Sequence, residues 1–368
     1  MIRTDRRGFL KVLALGSSAA LLSACGQGAP AAQTGPAPAG GGTGAAPAPA
    51  NLIDQVYEAA KKESKVVWWD QHALDVSQRY IETFKKTFPG IEVEYFTQTQ
   101  DELKTRAVSE ARAGRISFDV IDSGTNYAAY KEAGIFTDNS DVIMAAGIAA
   151  SELYEGSFSP EYTVNGAAYN TNLVKPEELP KTWEGFLDPK WKGKLAVETR
   201  FRAFVYGTPF MGGEEKVVEF LGKLKEQNPR LSRGDVDSNT LLVAGEFPLL
   251  VGAYLQNSIK YEPKGQPWAF VPLNEVYATP RGPGYTVPEK APHRQAGRLF
   301  LHWLVGPEGI ALMDQLRFKG DPTPGSGTGP SKYLEARGIA AKTPPLEYEL
   351  NYSKYEKRYA QALGLPSA

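Results

Sequence analysis

The order in which strand patterns and helix patterns alternate is the feature that most restricts the fold of this chain. The apolar run at 66–69 predicts a strand, and apolar residues at helical spacing over 80–88 predict a helix after it. Apolar and acidic residues alternate at 91–95, which predicts a second strand, and another helix pattern leads to a third strand at 118–121. Because parallel strands joined by right-handed crossovers are the usual solution for this order, we expect an α/β fold.

Two loops directly follow predicted strands, Asp70-Gln71-His72 and Asp122-Ser123-Gly124-Thr125. In open parallel sheets ligands bind outside the carboxyl ends of the strands, so both are candidate site loops. A third junction follows the strand predicted at 194–197, and the free N–H groups at such helix starts attract anions. Asp75, with Gln78 three residues later, predicts a capping box for the first of these helices. The candidate ligand-binding residues at the three junctions are Trp69, Asp70, His72, Ser123, Thr125, Thr199, Arg200 and Arg202.

Composition argues against several classes of protein. The 41 basic residues are balanced by 42 acidic residues, and the resulting net charge of −1 argues against a protein that coats nucleic acid. A single cysteine, Cys25, rules out an intrachain disulfide and a multi-cysteine zinc site. With three histidines in the chain, we expect neither a histidine-rich metal centre nor a resident cofactor.

The first fifty residues have the features of an export signal followed by a tether. A basic start, a short apolar stretch and small residues before Cys25 predict a signal peptide over 1–24. Arg6-Arg7 resembles the twin-arginine export motif, and Leu22-Ser23-Ala24-Cys25 resembles the bacterial lipobox, which implies lipid attachment to the Cys25 thiol. Residues 25–50 would then be the lipidated cysteine and a Gly/Ala/Pro tether with a reach of about 25–30 Å. We therefore expect an extracytoplasmic protein held at the membrane by its N-terminal lipid.

Several segments of the folded part resemble one known family. The stretch at 169–194 contains YNTNLV, LPKTW and LDPKWKGK, and it resembles the central segment of extracellular solute-binding proteins of bacterial ABC importers. The resemblance is closest to the ferric-iron and small-ligand branch. The sequences AGEFP at 244–248 and FLHWLVGPEG at 300–309 resemble later motifs of the same family in the same order.

The resemblance implies an α/β, two-lobe periplasmic-binding-protein fold of the type II kind, with interlobe crossover strands and a ligand cleft. Residues 162–169 and 270–284 match the two crossover regions of the family. The family closes its lobes over the ligand by hinge bending. The implied segments are lobe 1 at 51–162 plus about 280–318, and lobe 2 at 163–279 plus about 319–368.

In function, the resemblance implies a receptor and not an enzyme. Such a protein captures a small-molecule ligand and delivers it to an ABC permease in the membrane, and a monomer is the usual state. A sensor partner that responds to the ligand-bound state is an alternative, and a lipoprotein hydrolase is another. The chain has no Gly-x-Ser-x-Gly or His-Glu-x-x-His motif, which argues against the hydrolase.

We expect the ligand to be a small organic anion, such as a phosphonate, a sugar phosphate or a carboxylate. Arg200 and Arg202 can each bind a carboxylate or phosphate through two hydrogen bonds, and Arg281 in the second crossover region would add a third cation. Tyr254 and Tyr277 lie at or just past predicted strand ends, where aromatic rings can stack on an organic ligand.

Two other cargoes stay open. Ferric ion would use His72 and Tyr254, but the chain has no Tyr-Tyr dipeptide, which the iron-binding branch typically uses. A polyamine or thiamine-type cation would suit the aromatic residues and three carboxylates near the predicted strand ends, Asp70, Asp122 and Glu198.

Overall fold

The computed structural model describes residues 51–366 of the chain. The predicted signal peptide, Cys25 and the tether lie outside these described residues. Within 51–366, no helix combines the length and the apolar character that crossing a membrane requires.

The described residues form eleven strands and fourteen α-helices. The strands are β1 (Lys65–Asp70), β2 (Glu92–Thr97), β3 (Val120–Asp122), β4 (Val164–Tyr169), β5 (Leu195–Glu198), β6 (Arg230–Ser232), β7 (Leu249–Tyr254), β8 (Ala269–Phe270), β9 (Glu275–Ala278), β10 (Tyr285–Thr286) and β11 (Ala340–Lys342). The helices are α1 (Asn51–Glu63), α2 (Leu74–Thr87), α3 (Gln100–Arg112), α4 (Tyr127–Glu132), α5 (Ser140–Ala145), α6 (Arg202–Gly207), α7 (Glu214–Glu226), α8 (Asp235–Ala244), α9 (Ser258–Tyr261), α10 (Arg294–Val305), α11 (Pro307–Arg317), α12 (Gly329–Glu335), α13 (Glu347–Leu350) and α14 (Tyr352–Leu363).

The first sheet has the strand order β10-β3-β1-β2 in the described part of the chain. β1 pairs in parallel with both β2 and β3, as the strand–helix–strand order predicts. β10 comes from much later in the sequence and pairs antiparallel to β3, with Tyr285 opposite Asp122. We call this sheet, with α1–α5, α10 and α11, lobe 1.

Both faces of β1 are buried, which explains why its sequence is a continuous apolar run. Trp68 packs with Tyr80, Phe84 and Phe300 on one face. Trp69 packs on the opposite face, with its ring centroid 4.6 Å from that of Phe118. Alternation along the strand therefore places each tryptophan in a core of its own.

The helix cap predicted at Asp75 is wrong. α2 begins at Leu74, its N-cap is Ala73, and Asp75 lies inside the first turn. The capping box of this region is at α3 instead, where the Thr99 hydroxyl accepts from the Glu102 N–H and the Glu102 carboxylate accepts from the Thr99 N–H at 3.0 Å. The extended chain after β1 ends at Ala73, two residues earlier than the capping pattern requires, so the helix starts before Asp75.

The second sheet has the order β11-β9-β4-β7-β5-β6 within the described residues, with β8 also paired to β4. β5 pairs in parallel with β6 and β7, whereas β4 runs antiparallel to β7 and β9. We call this sheet, with α6–α9 and α12–α14, lobe 2. The two sheets with helices on them confirm the predicted α/β fold.

Three segments carry the chain between the sheets, at 159–163, 279–284 and 318–328. Backbone hydrogen bonds join them: the Thr279 N–H donates to the Thr163 carbonyl at 2.9 Å, and the Tyr162 N–H donates to the Lys319 carbonyl at 2.8 Å. Gly284 lies so close to the Phe158 carbonyl that an added Cβ would be 2.0 Å from its oxygen. The crossing segments are therefore packed backbone against backbone. The exact lobe boundaries drawn from the sequence stay a prediction.

Candidate functional site

A cleft of about 700 Å³ lies between the lobes, a volume typical of small-ligand sites. Residues at strand ends and helix starts form both of its sides. The polar side chains of the lobe 1 wall are Gln71, His72, Asp75, Gln100 and Asp122. The charged side chains of the lobe 2 wall are Arg200, Arg202, Asp235, Lys260, Lys264 and Glu349.

The crossing segments and the end of α11 add a group of three charged residues to the cleft, which we call the crossing triad: Glu161, Arg317 and Lys319. One carboxylate oxygen of Glu161 pairs with the Arg317 guanidinium, and the other accepts from the Lys319 ammonium at 2.7 Å. All three side chains are about one-seventh exposed. The triad thus ties the first crossing segment to the third, at the place where the walls meet.

His72 lies beside this triad and is buried. Its Nε2 is 3.4 Å from the Asp70 carboxylate and 3.7 Å from that of Glu161, and neither ring nitrogen makes a hydrogen bond among the described residues. Burial and the positive charge of Arg317 lower the pKa of His72 to about 3, against the opposing effect of Asp70. The imidazole is therefore neutral at physiological pH.

Asp122 ends β3 and lies half-buried in the lobe 1 wall. Burial and the negative charge of Asp70 raise the pKa of Asp122 to about 7, while Lys319 and Arg317 oppose the rise. Its carboxylate makes no ion pair within 4 Å among the described residues. Asp122 therefore changes its charge near neutral pH while facing the cleft.

A tight turn after β5 places two arginines in the lobe 2 wall. Phe201 has a left-handed φ of 56°, which non-glycine residues rarely adopt, and its side chain is buried in the lobe 2 core. Its neighbours Arg200 and Arg202 both line the cleft. The buried Glu198 carboxylate fixes the turn, because it accepts from the Arg200 N–H at 3.1 Å and from the Gly234 N–H at 3.2 Å. Strained backbone of this kind concentrates at functional sites.

The two arginines differ in their surroundings. Arg202 donates to the Tyr206 hydroxyl at 3.4 Å, and its guanidinium lies 5.5 Å from the centre of the Tyr352 ring. The Tyr206 hydroxyl donates in turn to Glu349. The Arg200 side chain is exposed and makes no hydrogen bond or ion pair with the other described residues. One guanidinium is therefore held in place by aromatic rings, and the other is available to a ligand.

Of the residues predicted from the sequence, His72, Arg200, Arg202 and Tyr254 line the cleft. The Tyr254 phenol is buried and donates to Glu198 at 3.2 Å. Burial and the nearby negative charge of Glu198 raise the pKa of the Tyr254 phenol well above its ordinary value.

Other predicted site residues lie behind the walls. The Trp69 ring packs in the lobe 1 core, and Asp70 accepts from the buried Tyr285 hydroxyl at 2.8 Å. The Ser123 hydroxyl donates to the Gly284 carbonyl at 2.5 Å, and Thr199 is buried with its hydroxyl 3.4 Å from the Ser232 carbonyl. The side chain of Thr125 lies outside the described residues. These side chains support the walls but do not line the main cleft.

Tyr277 and Arg281 also lie outside the cleft lining. Tyr277 is buried in lobe 2, stacked on the Trp183 ring at 5.4 Å, because its strand β9 lies inside the second sheet. Arg281 pairs with Glu152 and lies over the Phe158 ring at 5.1 Å. Arg281, the third predicted cation, is therefore already engaged by a carboxylate and an aromatic ring.

Sequence reasoning did not select several residues that line the cleft. Glu161, Arg317 and Lys319 have no local motif and meet because the crossing segments pack together. Glu349 comes from the C-terminal helices and reaches the cleft edge near Gly282. Asp235 could have been predicted from the sequence, because it begins α8 directly after the parallel strand β6, and ligands bind at such junctions.

The acidic residues considered for a cationic cargo are in different states. Asp70 is hydrogen-bonded to Tyr285, and Glu198 accepts three hydrogen bonds, so both are already satisfied. Asp122 alone of the three lines the main cleft. Among the described residues, no group of three His, Cys, Asp or Glu side chains is arranged to hold a metal ion.

Several solved structures are similar to this two-lobe architecture. A substrate-binding protein of an ABC transporter from Agrobacterium tumefaciens has a TM-score of 0.64 at 18% identity, covering 83% of this chain and 96% of its own. Iron-bound HitA from Pseudomonas aeruginosa has a TM-score of 0.62 at 17% identity, with coverages of 82% and 99%. AgtB from A. tumefaciens, in complex with agropinic acid, has a TM-score of 0.59 at 17% identity, with coverages of 82% and 98%. At these identities the likeness shows the two-lobe fold alone.

Sequence comparison gives the family. No curated protein sequence matches the chain significantly. A family model described as bacterial extracellular solute-binding protein matches residues 79–332, which is more than half of the chain. The match includes the ends of β3 and β5 and the crossing triad, and it begins after the loop that follows β1. It confirms the resemblance seen in the motifs at 169–194, 244–248 and 300–309. The chain belongs to the family of bacterial extracellular solute-binding proteins.

Proposed function

We propose that this solute-binding protein is the receptor of an ABC importer, and that it captures a small organic anion in the interlobe cleft for delivery to a permease. The observation that carries the proposal is the pair of arginines after β5. The Arg200 guanidinium has no hydrogen-bond or ion-pair partner among the described residues, and Arg202 is held on an aromatic surface that opens to the same cleft. Phosphonates, sugar phosphates and carboxylates all carry oxygens that such a pair can bind.

The surroundings of Arg202 make an anion site physically reasonable. A guanidinium packed on an aromatic face loses part of its hydration, so a bound carboxylate or phosphate meets less competition from water. Hydrogen bonds to charged groups contribute about 1.5–3 kcal/mol each. Arg202 is also preoriented by Tyr206, which reduces the entropy lost on binding. Lys260, exposed on the same wall, adds positive charge.

Among solved structures with this fold, AgtB holds agropinic acid and a Trichodesmium protein holds iron and citrate, so the fold accommodates organic acids. Family membership places the protein outside the cytoplasm. We propose further that the lipid on Cys25 and the tether keep the receptor beside its permease, that it works as a monomer, and that it has no enzymatic activity.

Ferric ion is the second candidate cargo, because His72 and Tyr254 both line the cleft and HitA is iron-bound. The iron-binding branch typically uses tyrosine ligands, however, and the raised pKa of Tyr254 opposes the ionisation of its phenol in the empty cleft. The organic anion therefore fits this cleft better. A polyamine or thiamine-type cation fits less well still, because Asp70 and Glu198 are already hydrogen-bonded.

The test is a calorimetric titration of the mature protein, without signal and lipid, against phosphate, phosphonates, sugar phosphates, dicarboxylates, ferric citrate and polyamines. An anion that binds the wild type should lose at least about a hundredfold in affinity when Arg200→Ala and Arg202→Ala are combined. Arg230→Ala is the matched control, because Arg230 is an exposed lobe 2 arginine paired with Glu246 outside the cleft. Unchanged affinity in the double variant would contradict the anion site.

A further inference from the structure

The charges of the cleft are unevenly distributed between its walls. Apart from the crossing triad, whose Arg317 and Lys319 are paired with Glu161, the lobe 1 wall carries the carboxylates Asp75 and Asp122 and, among the described residues, no other cationic side chain, since His72 is neutral. The lobe 2 wall carries four cations against two carboxylates: Arg200, Arg202, Lys260 and Lys264 against Asp235 and Glu349. An electric field therefore runs across the space that a ligand occupies.

We infer that the ligand is dipolar: an organic acid that also carries an ammonium group, with its acid group at Arg200 and Arg202 and its ammonium group facing Asp122. The inference rests on the proposed anion site of lobe 2 and extends it by naming the group at the opposite end. A ligand with acid groups at both ends would bring one of them against the carboxylates of lobe 1. A ligand with cations at both ends would bring one against the arginines.

Asp122 is the carboxylate best placed to receive an ammonium group. The other buried or half-buried carboxylates around the cleft already have protein partners: Tyr285 for Asp70, Arg317 and Lys319 for Glu161, and Asn257 at 2.8 Å for Asp235. Among the described residues, the Asp122 carboxylate forms no ion pair and no hydrogen bond with another side chain. A half-buried carboxylate without such a partner is costly, and a ligand cation would remove that cost.

The protonation of Asp122 links this contact to pH. Its pKa of about 7 in the empty cleft means that an ammonium group must displace a proton from it below neutral pH. The charged and titratable groups that bear on Asp122 from the neighbouring elements are Asp70, Tyr130, Tyr285, Arg317 and Lys319. Arg317 and Lys319 are held by Glu161, so neither neutralises Asp122 by direct contact.

The experiment uses probes in matched pairs that differ by one amino group: 4-aminobutyrate with butyrate, glutamate with glutarate, and 2-aminoethylphosphonate with ethylphosphonate. Each is titrated into the mature protein by calorimetry at millimolar concentration. We expect the amino member of at least one pair to bind about tenfold or more tightly than its partner. Asp122→Asn should abolish that difference while leaving the partner's own affinity, and Asp101→Asn, at an exposed α3 position outside the cleft, should leave the difference intact.

A second measurement covers the case in which Asp122→Asn does not fold. In the wild type, the affinity of the amino member should rise about tenfold between about pH 6 and about pH 8, because Asp122 must ionise to receive the ammonium group. In the two carboxylate pairs, whose acid groups are ionised throughout this range, the affinity of the partner without the amino group should not rise. Equal affinities within every pair, or no binding by any amino member, would overturn the inference.

These outcomes are separable from those of the proposed function. If both members of a pair bind equally and both are lost in the Arg200 and Arg202 double variant, the anion site stands and the dipolar ligand is refuted. If an amino member binds but the double variant does not weaken it, the anion site is refuted, and the dipolar inference that rests on it falls too.

Discussion

The lobe 1 wall and the lobe 2 wall are built by the same device and carry opposite charges. In each, a parallel strand ends in a loop that leads into a helix, and the residues of that loop face the cleft. β3 ends in Asp122, whereas β5 is followed by Arg200 and Arg202. The comparison shows that the architecture determines where a ligand is held, while the loop side chains determine which charge it must carry at each end.

The walls also differ in how their charges are maintained. Arg200 is exposed to water on the lobe 2 wall. Asp122 and His72 are withdrawn from water and lie within the field of the crossing triad, so their charges depend on Arg317 and Lys319. The lobe 1 wall should therefore respond to changes in the triad, whereas on the lobe 2 side burial alone raises the pKa values of Asp235 and Glu198.

Removing the shared anion of the crossing triad should have the largest effect on stability. Glu161→Gln leaves Arg317 and Lys319 largely buried and close together without their carboxylate, and breaking a buried ion pair in this way costs about 3 kcal/mol or more. Urea unfolding of the ligand-free protein measures the loss.

Glu219→Gln provides the matched control, because Glu219 also bridges two lysines, Lys216 and Lys223, but on the exposed face of α7. Exposed ion pairs contribute little to folding, so no measurable loss is expected there. Equal losses in the two variants would mean that the triad does not hold the walls together.

Acid should destabilise the protein through the lobe 1 wall. The pKa of His72 is lowered from its ordinary value, so its contribution to stability is present above about pH 6.5 and is lost as pH falls toward about 3. His72→Gln should lessen the loss of unfolding free energy between about pH 7 and about pH 5 by about 2 kcal/mol. Asp122 works in the opposite direction, because its raised pKa costs stability as pH rises from about 4 to about 7, and this contribution is present in both proteins. If the unfolding free energies of the wild type and of His72→Gln fall by the same amount between about pH 7 and about pH 5, the buried neutral imidazole is refuted.

A smaller effect is expected behind the lobe 2 wall. Tyr254→Phe removes one of three hydrogen bonds to the Glu198 carboxylate, which should lower the unfolding free energy by about 1 kcal/mol. Because two N–H donors remain, Glu198 keeps its place beneath Arg200. Denaturant unfolding measures the change, and a loss as large as that of Glu161→Gln would show that lobe 2 depends on its buried carboxylate as strongly as the crossing region does.

The smallest effect should come from Arg281. Its guanidinium already pairs with Glu152 and covers Phe158, outside the cleft lining, so Arg281→Ala should leave the affinity for an anion within about twofold. Calorimetry with whichever anion binds the wild type measures this. A loss comparable to that of the Arg200 and Arg202 double variant would place the second crossover in the binding site and remove the asymmetry between the walls.

Local sequence was sufficient for much of the fold and for part of the cleft. Strand–helix–strand order predicted that the first three strands are parallel, as β1 is to β2 and β3. Because ligands bind at strand ends, the loops at Asp70–His72 and Thr199–Arg202 were predicted as site loops, and each contains residues that line the cleft. The prediction of a cap at Asp75 failed because the extended chain after β1 ends at Ala73, so α2 begins before Asp75 with no side-chain cap.

What the sequence alone determined is therefore the element order, the positions of the loops at strand ends and the family motifs. These are consequences of periodicity, turn chemistry and short-range hydrogen bonding, which neighbouring residues encode. The tertiary structure decided that Trp68 and Trp69 enter different cores, that Tyr277 and Arg281 are engaged elsewhere, and that the crossing triad and Glu349 border the ligand space. Glu161 meets Arg317 across 156 residues of chain, and contacts at that separation depend on how the crossing segments pack, which no local pattern records.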